Sequence, residues 1–197
     1  MKRTLLLVAL FLCTFVLGLV AGSNYIVPQP VIAAAAAPDH HQAPAAAPRP
    51  STGYDVHVTA PHLVDGVEHG PYHHYCKVYA GDPVIVCLIY ESTEGNAMLS
   101  QVEWIYAKKM TRTGVPLRTW NRNWHDHAVE IAGGRVKVHD LPDDKAKEVA
   151  DLVSTTDGLI YHFYFNGNLP NGKMSIAQAV GHKSMTRAEW QNYEKKE

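Results

Sequence analysis

The stretch His73–Tyr90, HHYCKVYAGDPVIVCLIY, predicts two paired antiparallel strands. Its first part alternates aromatic with polar residues, and its last part is a short apolar run rich in β-branched residues. Gly81-Asp82 between them suits a two-residue hairpin turn. In that register Cys76 faces Cys87, and facing residues on paired strands lie close enough for a disulfide.

The N-terminus predicts export. Lys2 and Arg3 precede an apolar run that ends near Ala21, which is the pattern of a secretory signal. The run is longer than a typical signal core, so residues 1–22 are either a cleaved signal peptide or an uncleaved membrane anchor. Residues 23–53 are rich in Ala and Pro and are predicted as a disordered linker. A domain of residues 54–197 would then be periplasmic or extracellular.

Export favours the disulfide between Cys76 and Cys87, because an exported domain folds in an oxidising environment. Two buried free thiols and a Cys/His zinc site remain open as alternatives. The zinc alternative has less support, since the chain has neither the close Cys spacing of a structural zinc site nor a second Cys pair.

Composition excludes several classes of function. Lys and Arg number 18 against 19 Asp and Glu, and no basic stripe supports nucleic-acid binding. The chain has no G-x-S-x-G motif, and its Gly133-Gly134 pair precedes no phosphate-binding helix, so serine hydrolases and nucleotide-binding proteins have no support. The 12 histidines are the unusual feature. Neither catalytic residues nor an oligomeric state can be assigned.

The rest of the chain predicts helices alternating with strands. Ala97–Met110 carries apolar residues at helical spacing, whereas Trp124–Ile131 alternates like a strand and Arg135–His139 follows as its hairpin partner. The other predicted elements are a helix opened by Pro142, a strand at Leu159–Phe165 and a C-terminal helix with a Thr186/Glu189 capping box. The fold class predicted is a single α+β domain with mainly antiparallel strands and two to three helices.

The spacing of His125 and His127 indicates a metal site. On a strand both imidazoles point the same way, and His-x-His is a recurrent ligand pattern. Adjacent strand residues face opposite sides, so His73 and His74 would contribute one ligand between them. The further candidate ligands are His73, His74, His162 and Glu103. The alternative is that these histidines are ordinary structural residues.

These residues fall into separated blocks that resemble the oil-body-associated protein family over Tyr54 to Val180. The blocks are His73–Cys76, Val86–Ser92, Val102–Trp104, Trp124–His127 with Glu130 and Gly133, and Tyr161–Phe163 with Leu169-Pro170. That family is catalogued largely as a domain of unknown function, and its plant members are associated with lipid droplets. The resemblance implies contact with a membrane or lipid surface, and it strengthens a shared His/Glu site. Because the plant members are intracellular, a disulfide would be particular to exported members.

Three functions follow from these observations. The favoured one is an exported domain that binds zinc, copper or iron through a histidine cluster, because neutral imidazoles suit these ions. The second is a non-enzymatic lipid- or cell-surface-associated structural protein. The third is a metal-dependent hydrolase or oxidoreductase, which would need an open coordination position and a base such as Glu103 or Glu130.

Overall fold

Strands dominate the fold in a computed structural model that describes residues 50–79 and 82–194. The strands are β1 (Val56–Val64), β2 (Val67–Tyr79), β3 (Val84–Tyr90), β4 (Leu99–Ala107), β5 (His125–Asp126), β6 (Lys137–Val138), β7 (Thr156–Asn166) and β8 (Leu169–Ala179). Six of them pair antiparallel in the order β1-β2-β3-β4-β7-β8. Strand β8 returns to β1, with His62 opposite Ala179, and this pairing closes a six-stranded barrel.

Five short helices accompany the barrel within the described residues. They are α1 (Lys108–Gly114), α2 (Leu117–Asn123), α3 (His127–Ala132), α4 (Asp143–Ser154) and α5 (Arg187–Glu194). The helix predicted after Pro142 is confirmed as α4, with acidic residues in its first turn. The predicted capping box is confirmed at α5, where Thr186 N donates to Glu189 Oε2 at 2.7 Å. None of the helices in these ranges is long and apolar enough to cross a membrane.

The predicted α+β fold class with two to three helices is wrong, because the strands close on themselves and five helices flank them. The clearest error is the helix predicted over Ala97–Met110, most of which is strand β4. Gln101 and Glu103 are buried toward the barrel interior and Trp104 is 41% exposed. Because the buried positions 101 and 103 carry Gln and Glu, the apolar alternation that is typical of a strand is absent from the sequence. The remaining apolar residues are then spaced as in a helix.

The strand predicted over Trp124–Ile131 is also wrong beyond its first residues. Only His125 and Asp126 are extended, and α3 begins at His127. The Asp126 side chain caps this helix by accepting from Ala128 N at 2.8 Å. The predicted hairpin at Arg135–His139 does not form either, since β6 pairs with β1.

The hairpin of β2 and β3 has the predicted register, with Cys76 opposite Cys87. The disulfide between these cysteines is confirmed, with their Cα atoms 4.0 Å apart. It lies inside the barrel in an apolar cluster with Ile85, Ile89 and Ile160. Gly81 of the predicted turn lies outside the described residues, as do the predicted signal or anchor segment and most of the predicted linker.

Candidate metal centre inside the barrel

Three buried side chains converge at one end of the barrel interior. Glu103 Oε1 lies 3.1 Å from His125 Nε2 and 3.1 Å from His127 Nε2. The two Nε2 atoms lie 3.3 Å apart. No side chain of the three is more than 5% exposed. Among the residues that the structure describes, this is the one group of three His, Cys, Asp or Glu side chains whose donor atoms all lie within 4.8 Å of one another.

The local chain path explains why His125 and His127 meet although the predicted strand does not form. Strand β5 lies beside β7, with His125 opposite Gly158. The cap at Asp126 then turns the chain into α3, and this turn brings the His127 ring back toward the same point. The two rings meet edge to face with centroids 4.8 Å apart.

Gly158 leaves the space that this cluster occupies. A Cβ atom at this position would lie against Glu103 Oε1 and 2.6 Å from His125 Nε2. The strand partner of His125 is therefore a residue without a side chain, and the two donor atoms take the volume that any other residue would fill.

Gly158→Ala is therefore expected to displace Glu103 and His125. If the group holds a metal ion, its affinity for that ion should fall by at least about tenfold, the loss typical of a disturbed ligand orientation. Gly95→Ala is the control, because a Cβ there meets nothing within 4 Å and the backbone φ of Gly95 is not positive. Affinities from competition with a chromophoric chelator would check this. Equal affinities for Gly158→Ala and the unaltered protein would contradict the close approach.

The tautomer of His127 is fixed by a hydrogen-bond chain. Thr156 Oγ1 donates to Val153 O at 2.6 Å, so it can only accept from His127 Nδ1 at 2.9 Å. His127 Nδ1 therefore carries a proton. When the ring is neutral, its Nε2 lone pair faces Glu103 and His125, which is the orientation of a metal ligand held by an outer hydrogen bond.

Glu103 and His127 form a buried ion pair. Burial alone would raise the pKa of Glu103, but hydrogen bonds from His125 and His127 hold that pKa well below its ordinary value. Burial would lower the pKa of His127, but the hydrogen bond and charge of Glu103 raise it to about 9. Burial raises the pKa of Glu130, whose Oε2 lies 3.9 Å from His125 Nε2. A carboxylate and an imidazolium thus face each other.

The three donor atoms have the spacing of ligands on one ion. Atoms bound at about 2.1 Å lie about 3.0 Å apart at right angles and about 3.4 Å apart at tetrahedral angles. The separations of 3.1, 3.1 and 3.3 Å lie within this range. Two imidazoles and one carboxylate are also the donor set of catalytic zinc sites and of non-haem iron sites. The residues therefore fit a divalent transition metal.

The outer nitrogen of His125 departs from the pattern of a hydrogen-bonded ligand. His125 Nδ1 is buried and has no hydrogen-bond partner among the described residues. The orientation of His125 therefore depends on its ring contact with His127 and on its position opposite Gly158.

Comparison with known proteins gives the family. Residues 49–197 match the family described as Protein of unknown function (DUF1264). The chain belongs to the DUF1264 family. It is similar to Oil body-associated protein 1B of Arabidopsis thaliana, with 30% identity over 111 residues. The aligned part covers 55% of this chain and 45% of that relative, so the chain spans about half of the relative's length. No solved structure matches the chain.

Two further histidines extend the centre of this DUF1264 domain across the barrel. His74 Nε2 lies 3.9 Å from Glu103 Oε2 and 3.0 Å from His62 Nε2, and His62 Nδ1 lies 2.8 Å from Gln101 Oε1. His74 Nδ1 donates to Tyr72 O at 3.1 Å. Burial lowers the pKa of His62 to about 3, so this ring is neutral. The sequence interpretation missed His62, although its spacing from the inward-facing Ala60 and Val64 could have found it.

The remaining candidate ligands lie elsewhere in the DUF1264 domain. His73 faces the outside of the barrel, where its Nδ1 lies 3.0 Å from His57 Nε2. His162 is buried against Tyr164, with ring centroids 4.7 Å apart. The structure does not place either of them in the group formed by Glu103, His125 and His127.

A second buried network, which the sequence interpretation missed, supports the centre from the outer face of the barrel. Asp157 is fully buried and accepts from Arg112 Nε at 3.0 Å, Arg112 Nη2 at 2.8 Å and Trp120 Nε1 at 2.9 Å. Arg112 Nη2 also donates to Asp126 Oδ2 at 2.7 Å. Arg112 therefore links β7 to the residue between His125 and His127. No local pattern marks these residues, because α1, β5 and β7 are distant in sequence.

Proposed function

We propose that this DUF1264 domain binds one divalent transition metal ion through Glu103, His125 and His127. The observation that carries the proposal is the triangle of donor atoms with sides of 3.1, 3.1 and 3.3 Å. The fixed Nδ1 proton of His127 supports it, because the ring then presents a lone pair to the ion. Zinc, copper and iron all suit this donor set.

The surrounding residues would define what such a centre does. A bound ion would supply a Lewis acid or, for iron and copper, a redox centre. Thr156 holds the His127 ring in place, and Gly158 admits Glu103 and His125. Glu130 lies beside His125 without joining the triangle and is the nearest further carboxylate to it. Catalysis remains a prediction, and so does contact with a lipid surface, which the name of the Arabidopsis relative favours.

Metal content and pH dependence would test the proposal. The full chain, purified without a histidine tag from an oxidising compartment, is loaded separately with zinc, copper and ferrous iron and analysed by native mass spectrometry. We expect one ion per chain for at least one metal. Because His127 must lose its proton, with a pKa of about 9, affinity should rise about tenfold per pH unit from pH 7 and level off above that pKa.

Two results would contradict the proposal. One is a chain that retains no ion after loading with any of the three metals. The other is an affinity that does not change with pH in this range, since that would show that no buried imidazolium is displaced.

A further inference from the structure

An apolar cavity leads from the surface to the candidate metal centre. Its volume is about 70 Å³, and its inner end is formed by Glu103, His74 and His127. Its walls are aliphatic side chains of β1, β2, β3, β4 and β6, together with the buried disulfide. Nearly all of the surface that lines the cavity is apolar.

Helix α4 covers the outer part of this cavity. Val149, Ala150 and Val153 of α4 line it, yet no residue of the helix is fully buried. At the mouth, Leu152 is 38% exposed and Val78 is 48% exposed. The apolar side of α4 therefore faces space that the protein itself does not fill, and apolar surface continues from the cavity to the outside.

Size and lining together restrict what this space accepts. A cavity of about 150 Å³ holds one benzene molecule, so about half that volume holds three or four non-hydrogen atoms in a row and excludes an aromatic ring. The lining offers almost no hydrogen bonds to a ligand. The end of an unbranched aliphatic chain satisfies both conditions, and the remainder of a longer chain can lie against Leu152 and Val78 at the mouth.

We propose that the cavity under α4 binds the apolar end of an unbranched aliphatic chain. This inference goes beyond the proposed function and does not depend on it, because the aliphatic walls bind the chain whether or not an ion is present.

The test uses straight-chain 1-alcohols from butanol to octanol, titrated into the protein with its Val and Leu methyl groups labelled for NMR. We expect shifts at the methyl groups of Val149, Leu152 and Val153. Affinity should rise about fourfold for each methylene that enters the cavity, the gain expected for burying one CH₂ group, and should rise less steeply beyond it. Benzyl alcohol should bind at least about tenfold more weakly than 1-hexanol, because the cavity does not admit a ring.

Ala150→Leu tests the location of binding, because it adds three carbon atoms to the wall and fills most of the cavity. Alcohol affinity should fall at least about tenfold in this variant. Ala146→Leu is the matched control, since Ala146 lies one turn earlier on α4 and is not part of the lining. Leucine and alanine both favour helices, so both variants should fold.

The outcomes separate this inference from metal binding. Alcohol binding under α4 without any retained metal would leave the aliphatic site standing and refute only the metal proposal. Stoichiometric metal with no alcohol-induced shifts, or with shifts that Ala150→Leu does not change, would overturn the aliphatic site alone. Tighter binding of benzyl alcohol than of 1-hexanol would also overturn it.

Discussion

Replacing both His125 and His127 with alanine is expected to abolish metal retention, with an affinity loss of at least about a thousandfold. Loss of a residue that only hydrogen-bonds a metal ligand commonly reduces metal affinity 10–100-fold, and this variant removes two of the three proposed ligands themselves. Glu103 would remain as a buried carboxylate that has lost its two imidazole partners. Its pKa, now held low by those partners, should rise because burial alone raises it. Native mass spectrometry after zinc, copper or iron loading measures the loss.

The matched control is His57→Ala/His73→Ala. These two histidines also lie with ring nitrogens 3.0 Å apart, but on the outside of the barrel. The control should retain one ion per chain, and circular dichroism should show that both double variants are folded. If the control loses the ion while the His125/His127 variant keeps it, the outer histidines hold the metal and the proposed centre is wrong.

Local sequence patterns predicted the parts of this fold that form between near neighbours. The β2–β3 register and the disulfide follow from one turn and two adjacent strands. The α4 and α5 helices were predicted from their first-turn residues, which act within a few positions. Barrel closure was not predicted, because the pairing of β1 with β8 joins residues more than 100 positions apart.

The candidate centre itself caused most of the errors in the predicted elements. Gln101 and Glu103 point into the barrel, so β4 lacks the apolar alternation of an ordinary buried strand. The sequence predicted that His125 and His127 share a site, and their rings do meet although the predicted strand does not form. The capped turn at Asp126 brings the two rings together as a strand would have done. Polar residues are costly to bury unless they are paired. When they interrupt an alternating apolar pattern, they are therefore better evidence for a buried site than for a helix.

Asp157→Asn is expected to lower the free energy of unfolding by about 3 kcal/mol, because it leaves part of the buried Arg112 charge uncompensated. The Asp157 carboxylate is 0% exposed and accepts three hydrogen bonds from Arg112 and Trp120. An amide has one acceptor oxygen, and its NH₂ group would face donors. Asp126 remains as the second partner of Arg112. The free energy of unfolding should therefore fall by no more than it would for a fully isolated buried charge. Urea unfolding with the disulfide intact measures the change.

Asp151→Asn provides the control, since it makes the same substitution in an exposed ion pair with Lys147 and should change the urea midpoint little. The Asp157 variant should also weaken metal binding, which a purely local loss of stability would not do. Arg112 holds Asp126, and Asp126 caps α3 at the residue between the two ligands. A fall in stability with unchanged metal affinity would show that the network supports the barrel alone. A fall in both stability and metal affinity would show that the network of Asp157, Arg112 and Asp126 positions the two histidines. His125 and His127 are the chain neighbours of Asp126.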